Sequence, residues 1–161
     1  GMSYLYSKGV EHRDLKTLNV LLDASRRRCK VSDFGLSQSE SLNTAATQST
    51  MGRGGGAKGT PAYMAPELLD SNTFTEETDV YAYALVIWEV LTGDIPWRGL
   101  NPMQVGMQIL NKQARPAVPE GAPADLVGLM QRCWAHEPGA RPKFAAIKAE
   151  LLGSGPATPA K

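Results

Sequence analysis

HRDLKTLNVLL (residues 12–22) sets the carboxylate of Asp14, the ammonium group of Lys16 and the carboxamide of Asn19 within one short polar stretch, then turns apolar. Polar chemistry running straight into an apolar run reads as a loop feeding a strand. Upstream, GMSYLYSKGVEH reads as the end of an amphipathic helix, with Met2, Leu5 and Tyr6 on one face at i, i+3, i+4 spacing. No capping residue precedes it and residue 1 is Gly, so the chain is expected to begin inside an element, as a fragment would. Downstream, NVLLD and CKVSDF flank the polar turn ASRRR and read together as a β-hairpin. Arg26, Arg27 and Arg28 are expected at its solvated tip rather than in a binding patch.

The 161 residues suit one domain or one large lobe with a real core. A net charge of +1 gives no strong pull toward nucleic acid or a membrane surface. No apolar run approaches the ~20 residues of a membrane span, and no signal peptide is visible. Cys29 and Cys133 are far apart and form no CxxC pair; both are expected as buried, reduced thiols, in keeping with a cytoplasmic protein.

Residues 37–59 are rich in Ser, Thr and Gly without an apolar period, and read as a mobile loop. DVYAYALVIWEVLTG (79–93) is apolar almost all round, which predicts a fully buried helix ended by Gly93 and Pro96. Further helices are expected at about 102–112, 123–135 and 143–152, with their methionines as core filler. Residues 153–161 read as a linker or tail behind a unit spanning 1–152. The expected fold is mainly α with a small β-hairpin.

GGGAKG (54–59) matches G-x-G-x-x-G literally, but no strand precedes it and Thr60-Pro61 follows where a helix should begin; a flexible loop is the better reading. The informative pattern is distributed. HRDLKTLN is followed by Asp33-Phe34-Gly35 and then by Ala65-Pro66-Glu67. Each tripeptide alone is weak. In this order and spacing they resemble the catalytic loop H-R-D-L-x-x-x-N, the D-F-G motif and the A-P-E box of protein kinases, and the chain looks like the C-terminal lobe of a eukaryotic protein kinase.

The resemblance implies ATP and Mg²⁺ as cofactors and a protein substrate. It implies Asp14 as the base that orients the acceptor hydroxyl and Lys16 as a point charge on the transferred phosphoryl. Asn19 and Asp33 would be the metal ligands, and Leu21 the residue beneath the adenine. Hard oxygen donors suit Mg²⁺, which agrees with the carboxamide and the carboxylate. By the same resemblance His12 packs on Phe34 rather than acting as a base. Asp79 would hold the catalytic loop by its backbone, and Glu67 and Arg141 would form a buried ion pair. Arg13 beside Asp14 suggests regulation by a phosphate on the loop, with Ser37, Ser39, Ser41, Thr44, Thr47, Ser49 and Thr50 as candidate acceptors; Gln38 stands where a second basic residue is common.

Lys16 after HRDL, and Thr60 in GTPAYMAPE as a bridge between Asp14 and Lys16, favour serine/threonine specificity. CWAHEPGARPKF resembles a pattern shared by tyrosine kinases and the tyrosine-kinase-like group, to which the sequence is thereby assigned. Ala84 departs from the Gly usual there. A glycine-rich loop, a V-A-I-K lysine and its glutamate partner do not occur in these residues, so an upstream N-lobe of the same polypeptide is expected and the piece alone is expected to be inactive. The rival readings are a pseudokinase or scaffold lobe, disfavoured by the retained Asp14, Asn19 and Asp33, and a small-molecule phosphotransferase, disfavoured by Ala65-Pro66-Glu67.

Overall fold

The computed structural model describes residues 1–33, 38–39 and 60–153. Phe34, the glycine run at 54–59 and the candidate hydroxyls of Ser37, Ser41, Thr44, Thr47, Ser49 and Thr50 lie outside the described residues, and Ser39 is described only as strand backbone.

The described residues are mostly helical. A short helix α1 (Met2–Tyr6) leads to β1 (Val10–Glu11), and a 3₁₀ turn (Thr17–Asn19) leads to β2 (Val20–Leu22). Strands β3 (Cys29–Val31) and β4 (Gln38–Ser39) follow, then a second 3₁₀ turn (Pro61–Tyr63). Five helices complete the fold: α2 (Pro66–Ser71), α3 (Glu76–Thr92), α4 (Pro102–Lys112), α5 (Ala124–Cys133) and α6 (Phe144–Gly153). The hairpin read from NVLLD and CKVSDF is present: β2 pairs antiparallel with β3, Val20 opposite Val31 and Leu22 opposite Cys29. A second ribbon, unforeseen, pairs β1 with β4, Glu11 opposite Gln38.

Helix α3 is the axis of the core. Val80, Tyr81, Ala84 and Leu85 are wholly buried, and α5 packs against them through Leu129, Met130 and Cys133. Each large apolar side chain buried this way contributes about 1.5–3 kcal/mol. The helix starts three residues before the expected Asp79. Thr75 and Thr78 explain this: the Thr75 N–H donates to Thr78 Oγ1 at 3.3 Å, and the Thr78 hydroxyl donates back to the Thr75 carbonyl at 2.7 Å. Glu76, Glu77 and Asp79 then place negative charge at the positive end of the helix dipole. Gly93, at φ +66°, ends it in the left-handed conformation. Helix α4 is opened by a reciprocal pair, the Asn101 N–H to Gln104 Oε1 and the Gln104 N–H to Asn101 Oδ1, both 2.9 Å.

Three sequence expectations are corrected. Helix α3 is not buried all round, since Val90 in its last turn is 74 % exposed. Met2, Met64 and Met130 do fill the core, but Met103 and Met107 lie on the solvent face of α4, whose inward positions Val105 and Ile109 already satisfy the packing. Only Cys133 is buried; burial pushes its thiol up to about 12, whereas Cys29 is exposed at the end of the hairpin. The arginines at the hairpin tip are exposed as expected.

Glu67 in α2 and Arg141, 74 residues apart, meet as a bidentate pair, with Nη1 to Oε1 at 2.6 Å and Nη2 to Oε2 at 2.9 Å. The Arg141 side chain has no exposed surface. Its remaining donors go to the carbonyls of Ala135, Glu77 and His136, and its guanidinium lies 5.1 Å from the centroid of the Tyr81 ring. So many partners hold the cation in place that it cannot swing out if the carboxylate is removed. Glu67→Ala is therefore expected to lower the unfolding free energy by about 3–5 kcal/mol, read from urea denaturation. A loss below about 1 kcal/mol would show that the carbonyls alone compensate the charge.

Candidate active site

The backbone at His12 and Arg13 is held from below by one side chain. Asp79, in the first turns of α3 and only 3 % exposed, accepts the His12 N–H at Oδ2 (2.8 Å) and the Arg13 N–H at Oδ1 (3.0 Å). Arg13 adopts φ +70°, a conformation costly for a residue with a side chain, and the Asp79 bond offsets that cost. Burial pushes the Asp79 carboxyl above its ordinary range, while its hydrogen bonds from Tyr6, His12 and Arg13 work the other way. Leu15, 2 % exposed, anchors the loop in the core between Asp14 and Lys16.

Above this anchor the polar groups converge. Lys16 Nζ donates to Asp14 Oδ2 at 2.5 Å and to Thr60 Oγ1 at 3.0 Å, and the Thr60 hydroxyl donates to Asp14 Oδ1 at 3.1 Å. The three side chains close a triangle, although Thr60 comes from a segment 44 residues beyond Lys16. Asn19 is 5 % exposed, and its Nδ2 donates to the Asp14 carbonyl at 2.8 Å. That bond turns its amide oxygen away from the loop. Asn19 ends just before β2 and Asp33 follows just after β3. The Ser32 N–H donates to the Asn19 carbonyl at 2.8 Å, so the hairpin delivers both residues to one end of the ribbon. Asp33 is exposed, at φ +62°. A carboxamide oxygen and an exposed carboxylate brought together in this way fit a hard divalent cation.

His12 is fully buried with both ring nitrogens engaged: Nε2 lies 3.0 Å from the Ser32 carbonyl, and Nδ1 accepts the Asp14 N–H at 3.3 Å. The ring therefore spans the loop and the strand end, and Phe34 lies outside the described residues. Leu21 is 56 % exposed on the hairpin. Arg13 is already engaged: Nε and Nη2 both contact Glu11 Oε2 at 2.8 Å, and the guanidinium lies 5.0 Å from the Phe74 ring centroid.

Sequence reasoning missed a second cluster beside the triangle. Glu89 Oε2 accepts the Thr17 hydroxyl at 2.7 Å and the Tyr63 hydroxyl at 2.5 Å. Burial, then the bond to Glu89, pushes the Tyr63 phenol up to about 12. Thr17 adjoins Lys16, and Tyr63 stands three residues after Thr60, so α3 ties together the two segments that form the triangle. One signal was available: Glu89 is the sole charge between residues 80 and 92.

Comparison with known proteins identifies the family. A family model described as protein tyrosine and serine/threonine kinase matches residues 1–151, and the chain belongs to that family. A probable serine/threonine-protein kinase of Dictyostelium discoideum is 42 % identical over 147 residues, covering 91 % of this chain and 15 % of that protein. Serine/threonine/tyrosine-protein kinase HT1 of Arabidopsis thaliana is 40 % identical, covering 94 % of this chain and 36 % of its own. Mitogen-activated protein kinase kinase kinase 11 of Homo sapiens is 36 % identical, covering 94 % and 18 %. The chain thus spans about a third or less of these relatives. The mixed character expected of a tyrosine-kinase-like sequence shows in the match, a model common to tyrosine and serine/threonine kinases whose relatives carry serine/threonine names. Among the described residues no helix is long and apolar enough to cross a membrane.

The Glu89 cluster yields a direct test. Tyr63→Phe removes one of the two hydroxyls on that carboxylate, together with its 3.5 Å contact to Thr17 Oγ1, and keeps the ring. It is expected to cost about 1.5 kcal/mol of unfolding free energy by chemical denaturation. A change within about 0.3 kcal/mol would mean that solvent replaces the hydroxyl.

Proposed function

We propose that this chain is the C-terminal lobe of a serine/threonine protein kinase of the tyrosine-kinase-like group, and that the whole protein transfers the γ-phosphoryl of ATP to Ser or Thr hydroxyls of protein substrates. The observation that carries the reading is the triangle of Asp14, Lys16 and Thr60. A carboxylate clasped by an ammonium group and a hydroxyl has a fixed direction, which is what aligning an acceptor hydroxyl requires. Asp14 orients that hydroxyl and accepts its proton late in the transfer. Lys16 keeps its charge beside the transferred group, and Thr60 holds both in register. Asn19 and Asp33 would hold Mg²⁺, which when bound neutralises charge on the phosphates. Leu21, exposed on β2, offers an apolar surface for the adenine.

Arg13 would receive a loop phosphate only in competition with Glu11, so control through that residue is graded rather than all-or-none in this reading. The glycine-rich strand pair and lysine that clamp ATP in the family do not occur in the sequence; an N-lobe of the same polypeptide would supply them, and the 161 residues alone would not transfer phosphate. A scaffold lobe without chemistry fits less well. It has no use for a part-buried carboxylate and ammonium held against a threonine.

The test uses the full-length protein with labelled ATP and a generic protein substrate. Transfer to Ser and Thr is expected, and Asp14→Asn should lower kcat by about 10³-fold, within the usual range for a general base. Undiminished transfer by Asp14→Asn, or label found on Tyr alone, would overturn the reading.

A further inference from the structure

We propose that Tyr6 is a positioning residue for the transfer, its hydroxyl steadying Asp79 and, through Asp79, the backbone that carries Asp14. This inference rests on the proposed kinase function of the site. The Tyr6 hydroxyl donates to Asp79 Oδ2 at 2.7 Å, across 73 residues of sequence. The other donors to this carboxylate on the loop side are the backbone N–H groups of His12 and Arg13, which belong to the segment that must be held. Tyr6 is the support from outside that segment.

The support is itself rigid. The Tyr6 ring stacks on Phe144, with centroids 5.5 Å apart and planes 24° from parallel. Phe144 is 3 % exposed and opens α6, and its N–H donates to Glu76 Oε1 at 2.8 Å in the first turn of α3. The hydroxyl is thus fixed relative to α3 and α6 before it meets Asp79. Burial, followed by the charge of Asp79, pushes the Tyr6 phenol far above its ordinary range, so it remains an O–H donor at any working pH.

Removing the donor has a definite consequence. Rotation of a carboxylate about its last side-chain torsion is soft. With Tyr6 in place, Oδ2 is pinned by two donors and Oδ1 is thereby aimed at the Arg13 N–H. Without it the carboxylate rocks, the Arg13 bond lengthens, and the left-handed backbone at Arg13 loses its compensation. Asp14 is the next residue. Its carboxylate would stay in place on average but lose its narrow direction, which slows the chemical step while leaving substrate binding alone.

The test compares wild type with Tyr6→Phe in the full-length protein, because that change keeps the ring and its stack on Phe144. Expected are a kcat lowered about tenfold, KM for ATP and for protein substrate within twofold, and backbone hydrogen exchange at His12 and Arg13 at least tenfold faster while the α5 amides exchange as before. The proposal is overturned by an unchanged kcat in an active enzyme, by unchanged exchange at His12 and Arg13, or by exchange that quickens uniformly through the helices, which would mark a general loss of stability. The two failures are separable: a wild type that transfers no phosphate defeats the kinase reading, whereas an active wild type matched by Tyr6→Phe defeats only this one.

Discussion

A single buried carboxylate organises the molecule. Taking Asp79 out of water is unfavourable, and burial raises its pKa. The cost is met by donors that converge on it from α1 and from the loop at residues 12 and 13. Each donor would otherwise be a polar group needing a partner near the core, so carboxylate and donors satisfy one another or none does. Helix α3 thereby fixes the loop by its backbone, which leaves the side chains of Asp14, Lys16 and Asn19 free to face each other. Had Asp79 gripped the loop through side chains, those groups would be spent on structure.

The same helix acts again about three turns further along. Glu89 gathers Thr17 from the loop and Tyr63 from the segment that brings Thr60. One helix therefore reaches both sides of the triangle, and the relative position of Asp14 and Thr60 is set by Glu89 together with their direct hydrogen bond. The Glu67–Arg141 pair closes the far side by tying α2, which follows Thr60 and Tyr63, to the segment before α6.

Much of this was legible in the sequence, for a physical reason. Groups proposed to act on a common ligand must be of specific chemical types, so Asp14, Lys16, Asn19 and Asp33 stand out as an ordered set. Helices α3 to α6 announce themselves by apolar period and by stops such as Gly93. What stayed hidden depends on partners remote in sequence. Tyr6 looks like one more apolar residue on a helix face until Asp79 is brought to its hydroxyl. Glu11 sits in what reads as the end of a helix, whereas the helix stops at Tyr6 and Glu11 lies in β1, where only the turn at Arg13 reveals it as a counter-ion. Met103 and Met107 share the composition of core methionines, and nothing local says that Val105 and Ile109 have already filled the inward face. Short β1–β4 pairing escaped because two residues carry no period.

The hairpin has a consequence for how such a protein can vary. Asn19 and Asp33 are brought together at the open end of β2–β3, where Val20 pairs with Val31 and Ser32 bonds back to Asn19. Everything between Leu22 and Cys29 lies beyond that closure and is exposed to solvent. Lengthening the tip adds only a slowly growing loop entropy, roughly 0.6 kcal/mol for each doubling. The pair of oxygen donors at the other end is insulated from it by the strand pairing. The tip is therefore a natural port for inserted or labelled segments, joined to the proposed site yet mechanically decoupled from it.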